Sequence, residues 1–502
     1  MNEKPRGLTR SALGGMVWTA WGAGAMAVLK LAVLVLLTRL LSPADFGVVS
    51  AALVVIAFSL NFSQLGLGPA LVQRPVLEPR HVSTAFFAST GFGLLVAAAI
   101  WLAAPAIAQF FKMDSLAQVV RVLALLFPLA GVSAAPESLL QRDLRFRLLA
   151  NRDVFAYAVG YGGVGVGLAL LGWGIWALVG AQLAQVTIRT VILLRAAPPL
   201  FRARPTWASF LELVGFGAGQ SIARMGIILA NQLDNLVVGR WMGAVALGNY
   251  SRAFQFMAVP TGLLGDVLDK VLFPTMARVQ DDPRRLAAGY LRGTALLALI
   301  LAPAGVVAAV LAPELVAVAF GKKWAGIIPP FQVLALGMML RTGYRMSDSL
   351  SRATGKVYRR AWRQWLFAAM VFTGAWLGHY EGLTGVAVGV LIAFFINYVL
   401  MAQLSLAVTG ITWARFVQAQ LPALQLASLL ALVTLGVTAI TRHLALPAAV
   451  GLAIGCLAAA VTTVLAIWLA PTLALGEHGM GTRDIVRAYL TSRIQSANLR
   501  RS

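Results

Sequence analysis

Long apolar runs separated by short polar breaks fill the chain from Ser11 to Leu475. A helix needs about 20 mostly apolar residues to cross a bilayer. Fourteen runs reach that length: 11–40, 45–72, 82–111, 116–139, 148–171, 173–194, 208–239, 245–277, 286–312, 326–350, 358–378, 382–408, 416–441 and 446–473. In hydrocarbon every backbone N–H and C=O must find a partner within the segment, so the runs predict helices rather than isolated strands. None of the breaks reaches the roughly 50 residues of a soluble domain. The expected fold class is an all-α polytopic membrane protein of about 14 transmembrane helices. The first run is too long for a signal-peptide core and has no obvious small-residue cleavage site, so it reads as a first span.

The pattern also repeats. Arg39–Ser50 parallels Arg240–Ser251 at an offset of 201, with Gly47 matching Gly248. Arg121-Val-Leu-Ala-Leu125 parallels Gln332-Val-Leu-Ala-Leu336 at 211, and Ser138-Leu139 matches Ser349-Leu350 at the same offset. Collinear matches with a slowly growing offset predict two six-helix lobes, 1–200 and 205–410, followed by two additional helices in 411–475 and a basic cytoplasmic tail in 476–502. Six is even, so the lobes share one orientation and are expected to be related by an axis along the membrane normal. Twin lobes with a site between them are the usual basis of alternating access, which favours transport over catalysis.

Composition agrees with a membrane solvent: 59% of residues are hydrophobic, only 12% are charged, and the mean hydropathy is +0.81. Soluble chains carry about 25% charged residues. The net charge of +23 would suggest nucleic acid in a soluble protein. Here the cations gather in alternate breaks, and no nucleic acid is expected as a partner. With the N-terminus in the cytoplasm, that side collects Lys4, Arg6, Arg10, Arg142, Arg145, Arg147 and the basic tail. The opposite breaks hold few: Arg39, Lys112, Arg240, Lys322, Lys323 and Arg442. The bias places both termini in the cytoplasm.

Charge inside a span is expensive and usually functional. In the run 208–239, Gln220, Ser221, Arg224, Asn231, Asp234 and Asn235 fall on one stripe of a helix turning 100° per residue. Gly337, Arg341, Arg345, Asp348 and Arg352 share a face in 326–350. Lys30 aligns with Asn231 in the repeat, and Arg121 and Arg252 lie nearer the outer side. Candidate substrate-binding residues are therefore Lys30, Arg224, Arg252, Arg341, Arg345 and Asn231, with Asp234 as a candidate for cation coupling. Arginine stays charged when desolvated and grips phosphate with two parallel hydrogen bonds, so a cationic lumen suits an anionic substrate such as a diphosphate. The bland alternative is pairing: Arg345 and Asp348 stand three apart.

Other motifs weigh against catalysis. Gly160-Tyr-Gly162-Gly-Val-Gly165 fits a nucleotide-loop pattern, but without a preceding strand it reads as close helix packing. There is no Walker A lysine, no HExxH and no cysteine pair, Cys456 being alone. The histidines at 81, 379, 443 and 478 fall in breaks or the tail, and neither a metal nor a cofactor is expected.

Leu36-Leu-Thr-Arg39-Leu-Leu-Ser-Pro43-Ala-Asp-Phe-Gly47 followed by Gln64-Leu-Gly-Leu-Gly68 resembles the opening of bacterial polysaccharide-export flippases. Ser138–Phe146 and Gln232–Gly239 are similar to segments of the same family. The resemblance is to Wzx-like members of the multidrug/oligosaccharidyl-lipid/polysaccharide superfamily and covers about residues 1–475. It implies an inner-membrane flippase that moves undecaprenyl-diphosphate-linked oligosaccharides to the periplasmic leaflet, for lipopolysaccharide, exopolysaccharide or capsule. It further implies membrane lipids, a polysaccharide polymerase and chain-length proteins as partners. Competing expectations are a cation-coupled multidrug exporter of the same fold, which would favour an acidic lumen, and a membrane glycan polymerase or ligase, which would need larger outer loops.

Overall fold

A computed structural model describes residues 24–64, 66–198 and 203–476. Residues 11–23 of the first expected span and the tail beyond Gly476 lie outside the described residues, as do the side chains of Gln220, Ser221 and Arg224. Every regular element among the described residues is helical. The protein is an all-α, multi-span membrane protein. Its chain order begins with α1 (24–40), α2 (Pro43–Gln64), α3 (Leu67–Gln73), α4 (Pro79–Phe111), α5 (Leu116–Leu123) and α6 (Leu126–Arg142). It continues with α7 (Phe146–Tyr157), a π-helical stretch (Ala158–Gly165), α8 (Val166–Leu170), α9 (Ile175–Ala196), α10 (Trp207–Ala230) and α11 (Leu233–Arg278). Next come α12 (Pro283–Val310), α13 (Ala312–Ala319), a 3-10 stretch (Lys322–Ile327), α14 (Ile328–Leu336), α15 (Met338–Ala353) and α16 (Val357–Gly378). The chain then passes through a 3-10 turn (His379–Glu381) into α17 (Gly382–Thr409), α18 (Trp413–Gln418), α19 (Leu421–His443) and α20 (Ala448–Leu469).

Nine helical segments among the described residues are long and apolar enough to cross a bilayer, or ten if the bent pair α14–α15 forms one span. That number does not establish the expected fourteen. One of the nine, Tyr358–Thr409, is 52 residues long and contains two expected spans joined through the turn at His379–Glu381. The outward surfaces are apolar, as lipid contact requires: Leu102, Leu171, Leu432 and Trp468 are 71–77% exposed.

Several expected spans are interrupted. The run 116–139 divides at Ala124–Leu125 into α5 and α6, and its repeat counterpart divides at Gly337 into α14 and α15, with a bend of 42°. The run 208–239 is not one helix either. It ends at Asn231, whose Nδ2 donates to the Ile227 carbonyl at 2.7 Å. This capping bond competes with helical continuation, so the single polar stripe from Gln220 to Asn235 no longer follows from a 100° step. Further on, Gly243 (φ 84°, ψ −177°) breaks α11 in a conformation that only glycine adopts easily. His81 is not in a loop. It occupies the first turn of α4, accepts from the Glu78 backbone N–H at 3.1 Å and is 1% exposed.

The chain divides into two compact units, Met1–Arg252 with Gln364–Gly389, and Ala253–Arg363 with Val390–Ser502. In the first, helices approach through small residues, since lipid offers no hydrophobic drive and van der Waals packing must hold them. A Cβ on Gly93 would stand 2.6 Å from the Phe127 carbonyl oxygen, and Gly131 abuts Ser89, so α4 and α6 cross at van der Waals distance. Gly160 and Gly165 meet Gln185 and Ala181 on α9 in the same way, as the packing interpretation of the glycine motif expects. Gly374 and Gly378 face Gly389 and Gly385.

Within the first unit, α2 meets α11 through positions that the sequence aligns at the offset of 201. Gly47 lies against the Ala244 carbonyl, Gly248 against the Pro43 carbonyl, and the Ser50 and Ser251 hydroxyls bond at 3.0 Å. Residues 201 apart in sequence thus face their own counterparts.

The second unit is built on α12. Tyr290 bonds Ser347 of α15 at 2.9 Å, and Gly305 receives the Ala335 carbonyl of α14. Glu314 of α13 accepts from Arg442 of α19 at 2.7 and 3.0 Å.

Candidate functional site

Within the first unit, Arg252 follows the glycine contact on α11. Its guanidinium stands 4.7 Å over the Phe46 ring. Nε has no hydrogen-bond partner, and among the described residues no carboxylate forms an ion pair with it. The Tyr157 and Tyr161 hydroxyls lie within its electrostatic reach. Those two rings stack at 4.9 Å, and Tyr161 donates to Gln182 Oε1 at 2.6 Å. Tyr157 ends α7 and Tyr161 sits in the π-helical stretch, a distortion that often marks functional positions.

The magnitudes are informative. A cation costs about 2.5–3.5 kcal/mol or more at the centre of a span, so a position nearer the outer side, such as that of Arg252, carries only part of that cost. A cation–π contact returns only about 0.5–2 kcal/mol. The Phe46 ring carries no net charge, so its contact stabilises the Arg252 guanidinium without neutralising it.

Asp234 belongs to the same unit and does not neutralise Arg252. It is 1% exposed. Its Oδ2 accepts the Tyr250 hydroxyl at 2.9 Å and its Oδ1 the Asn235 backbone N–H at 2.8 Å. Asn231 is committed to capping α10. Lys30 is exposed on α1 and forms no ion pair with another described residue. Arg121 stands 5.0 Å from the Trp101 ring. For Arg224 the position in α10 is described and its side chain is not.

In the second unit, Arg341 and Arg345 share α15. The Arg341 guanidinium lies 4.3 Å from the Phe254 ring and 5.7 Å from Phe394. Arg345 lies against Gly265, where any Cβ would collide with its Nη1. Asp348 is held by Arg352 at 3.2 Å and by Arg360. The sequence placed Arg341, Arg345, Asp348 and Arg352 on one run, and all four lie on α15, while Gly337 stands at the bend before it. The sequence missed the aromatic partners Phe46, Phe254 and Phe394 and the Tyr157–Tyr161 stack, whose four-residue spacing was the available signal. Among the described residues no three His, Cys, Asp or Glu side chains gather as a metal site would need.

The fold is shared with solved transporters and flippases. It is similar to the inward-closed lipid II flippase MurJ, with a TM-score of 0.70 at 12% identity, covering 90% of this chain and 99% of that one. An inward-facing multidrug resistance MATE family transporter of the MOP superfamily gives 0.61 at 17% identity, covering 77% and 96%. Among named relatives, the teichuronic acid biosynthesis protein TuaB of Bacillus subtilis is 24% identical over 90% of this chain and 94% of its own length. The lipopolysaccharide biosynthesis protein WzxC of Escherichia coli is 26% identical over 78% and 80%. The succinoglycan biosynthesis transport protein ExoT of Rhizobium meliloti reaches 30% over 62% and 63%. Residues 36–329 match the polysaccharide biosynthesis protein family, and the chain belongs to that family.

Proposed function

We propose that the protein is a flippase that carries an undecaprenyl-diphosphate-linked oligosaccharide from the cytoplasmic to the periplasmic leaflet of the inner membrane. Membership of the polysaccharide biosynthesis family supports the substrate class. The observation that carries the chemistry is Arg252, a cation seated on an aromatic ring with no acidic partner among the described residues. A diphosphate would complete its hydrogen bonds and neutralise it, whereas a cationic drug would be repelled. Lys30, Arg224, Arg341 and Arg345 are assigned the same task along the path, and Asn231 a minor polar one.

Transport proceeds by alternating access of the two six-helix lobes, 1–200 and 205–410, with the lipid tail remaining in the bilayer. The remaining helices (411–475) and the tail (476–502) complete the assigned domains, with both termini in the cytoplasm. Coupling to an ion gradient or the membrane potential is assigned to Asp234, whose carboxylate would exchange the Tyr250 hydroxyl for a cation. A polymerase and chain-length proteins receive the product on the far side.

Deleting the gene tests the function directly. Lipid-linked repeats should accumulate on the inner leaflet and return to normal export on complementation. A deletion strain that loses the polymer while its lipid-linked repeats reach the periplasm would point to polymerisation instead.

A further inference from the structure

We infer that the start of α7 and the groove beside it form a binding site for an anionic phospholipid, separate from the transport path and independent of the flippase assignment. The groove has a volume of about 570 Å³. Arg145, Arg147 and Asn151 stand along it, Leu148, Phe155 and Ile192 supply its apolar wall, and Arg152 lines it as well.

Arg152 is the informative residue. It is 3% exposed, and its Nε and Nη2 are bound by Asp153 at 3.0 and 2.7 Å, with Glu137 at 3.3 Å from Nη2. Glu137 is shared with Arg189 at 2.7 Å. Two carboxylates thus balance two guanidiniums, yet Nη1 of Arg152 is buried without a hydrogen-bond partner among the described residues. Leaving a buried charged donor unpaired costs more than about 1–3 kcal/mol, and a ligand oxygen would remove that penalty.

Three further features point to the same anion. Arg145 and Arg147 are exposed at the rim, while the Arg142 guanidinium is turned to the Leu71 and Pro75 carbonyls, and Asp143 is the one acidic residue in the turn 142–147. No side chain caps the start of α7, where the Phe146 N–H donates to the Leu144 carbonyl at 2.8 Å, and the positive end of the helix dipole adds to the local potential. Beside this charge the wall is carbon, and Phe155 is 56% exposed. A soluble phosphate has no use for that wall; an acyl chain does. A lipid carrying one phosphodiester charge matches both halves. In the proposed orientation the site faces the cytoplasmic leaflet, whose anionic lipids favour basic residues at the interface.

The full-length protein, delipidated in detergent and titrated with phosphatidylglycerol, is read by native mass spectrometry. One tightly held phosphatidylglycerol is expected, with phosphatidylethanolamine binding at least fivefold more weakly. The Arg145→Gln/Arg147→Gln double variant should weaken phosphatidylglycerol binding by fivefold or more. Lys112→Gln, which removes an exposed cation elsewhere in the same unit, should leave it unchanged. The single variants Arg145→Gln and Arg147→Gln give a smaller loss of the same kind, so a folding defect in the double variant does not spoil the test. Unchanged phosphatidylglycerol binding in the folded variants overturns the site. So does a result in which only polyprenyl phosphate binding falls, which would assign these arginines to the transported lipid.

Discussion

Arg252 has Phe46 and two tyrosines around it where a structural arginine would have a carboxylate. If it grips a diphosphate, Arg252→Ala loses a charge-assisted contact of about 1.5–3 kcal/mol, or roughly 10- to 100-fold in affinity. Arg252→Lys should recover only part of this, because an ammonium lacks the paired donor geometry. Binding of lipid-linked substrate to the purified variants measures both, and equal affinity in all three forms would show that Arg252 only packs. Gly47 and Gly248 make a different residue-scale claim. A methyl group on either collides with the backbone of the opposite helix, so Gly47→Ala or Gly248→Ala should destabilise the fold by about 1–3 kcal/mol, the usual cost of overpacking. Thermal unfolding in detergent shows this as a lowered midpoint, and an unshifted midpoint in both variants would mean the α2–α11 contact is loose.

At the scale of elements, hydropathy found the apolar segments and missed their interruptions. A window of about 20 residues averages over a one-residue break, so Gly337 and the Ala124–Leu125 step left no mark. The break at Asn231 depends on its amide turning back to Ile227, a choice the residue type permits but does not force. Gly243 was legible in principle, as a glycine between two apolar runs. Its φ of 84° predicts that Gly243→Ala strains the turn, lowering stability by about 1 kcal/mol or more, and a thermal midpoint equal to wild type would refute this.

The contact between α13 and α19 rests on Glu314 and Arg442. Burial pushes the Glu314 carboxyl up, but the hydrogen bonds and charge of Arg442 outweigh it and hold the pKa below its usual 4.5. A depressed carboxylate pKa stabilises above the unfolded value and loses that contribution as pH falls through the folded one. Stability should therefore decline below about pH 4.5, and Glu314→Gln should flatten that part of the profile. A Glu314→Gln profile identical to wild type in slope would remove the pair from consideration.

For the whole molecule, the offset of 201 read from sequence returns as the bond between Ser50 and Ser251. Family membership and fold were legible because they are written in long runs and in the motif around Pro43–Gly47. The candidate binding residues were only half legible. Charged positions on α11 and α15 show in the sequence, but what each one meets depends on side chains brought from elsewhere: the Phe46 ring for Arg252, the Phe254 ring for Arg341, Arg360 for Asp348. On the proposed account, Arg252 and the arginines of α15 hold the anionic head of the lipid-linked sugar during transport.

The decisive measurement is flipping of a fluorescent undecaprenyl-diphosphate oligosaccharide in vesicles reconstituted with wild type, Arg252→Glu or Arg341→Glu. Wild type should expose the labelled sugar to an external quencher, while both charge reversals abolish exposure even though the protein remains folded. Wild-type rates in both variants would contradict a cationic path for the diphosphate.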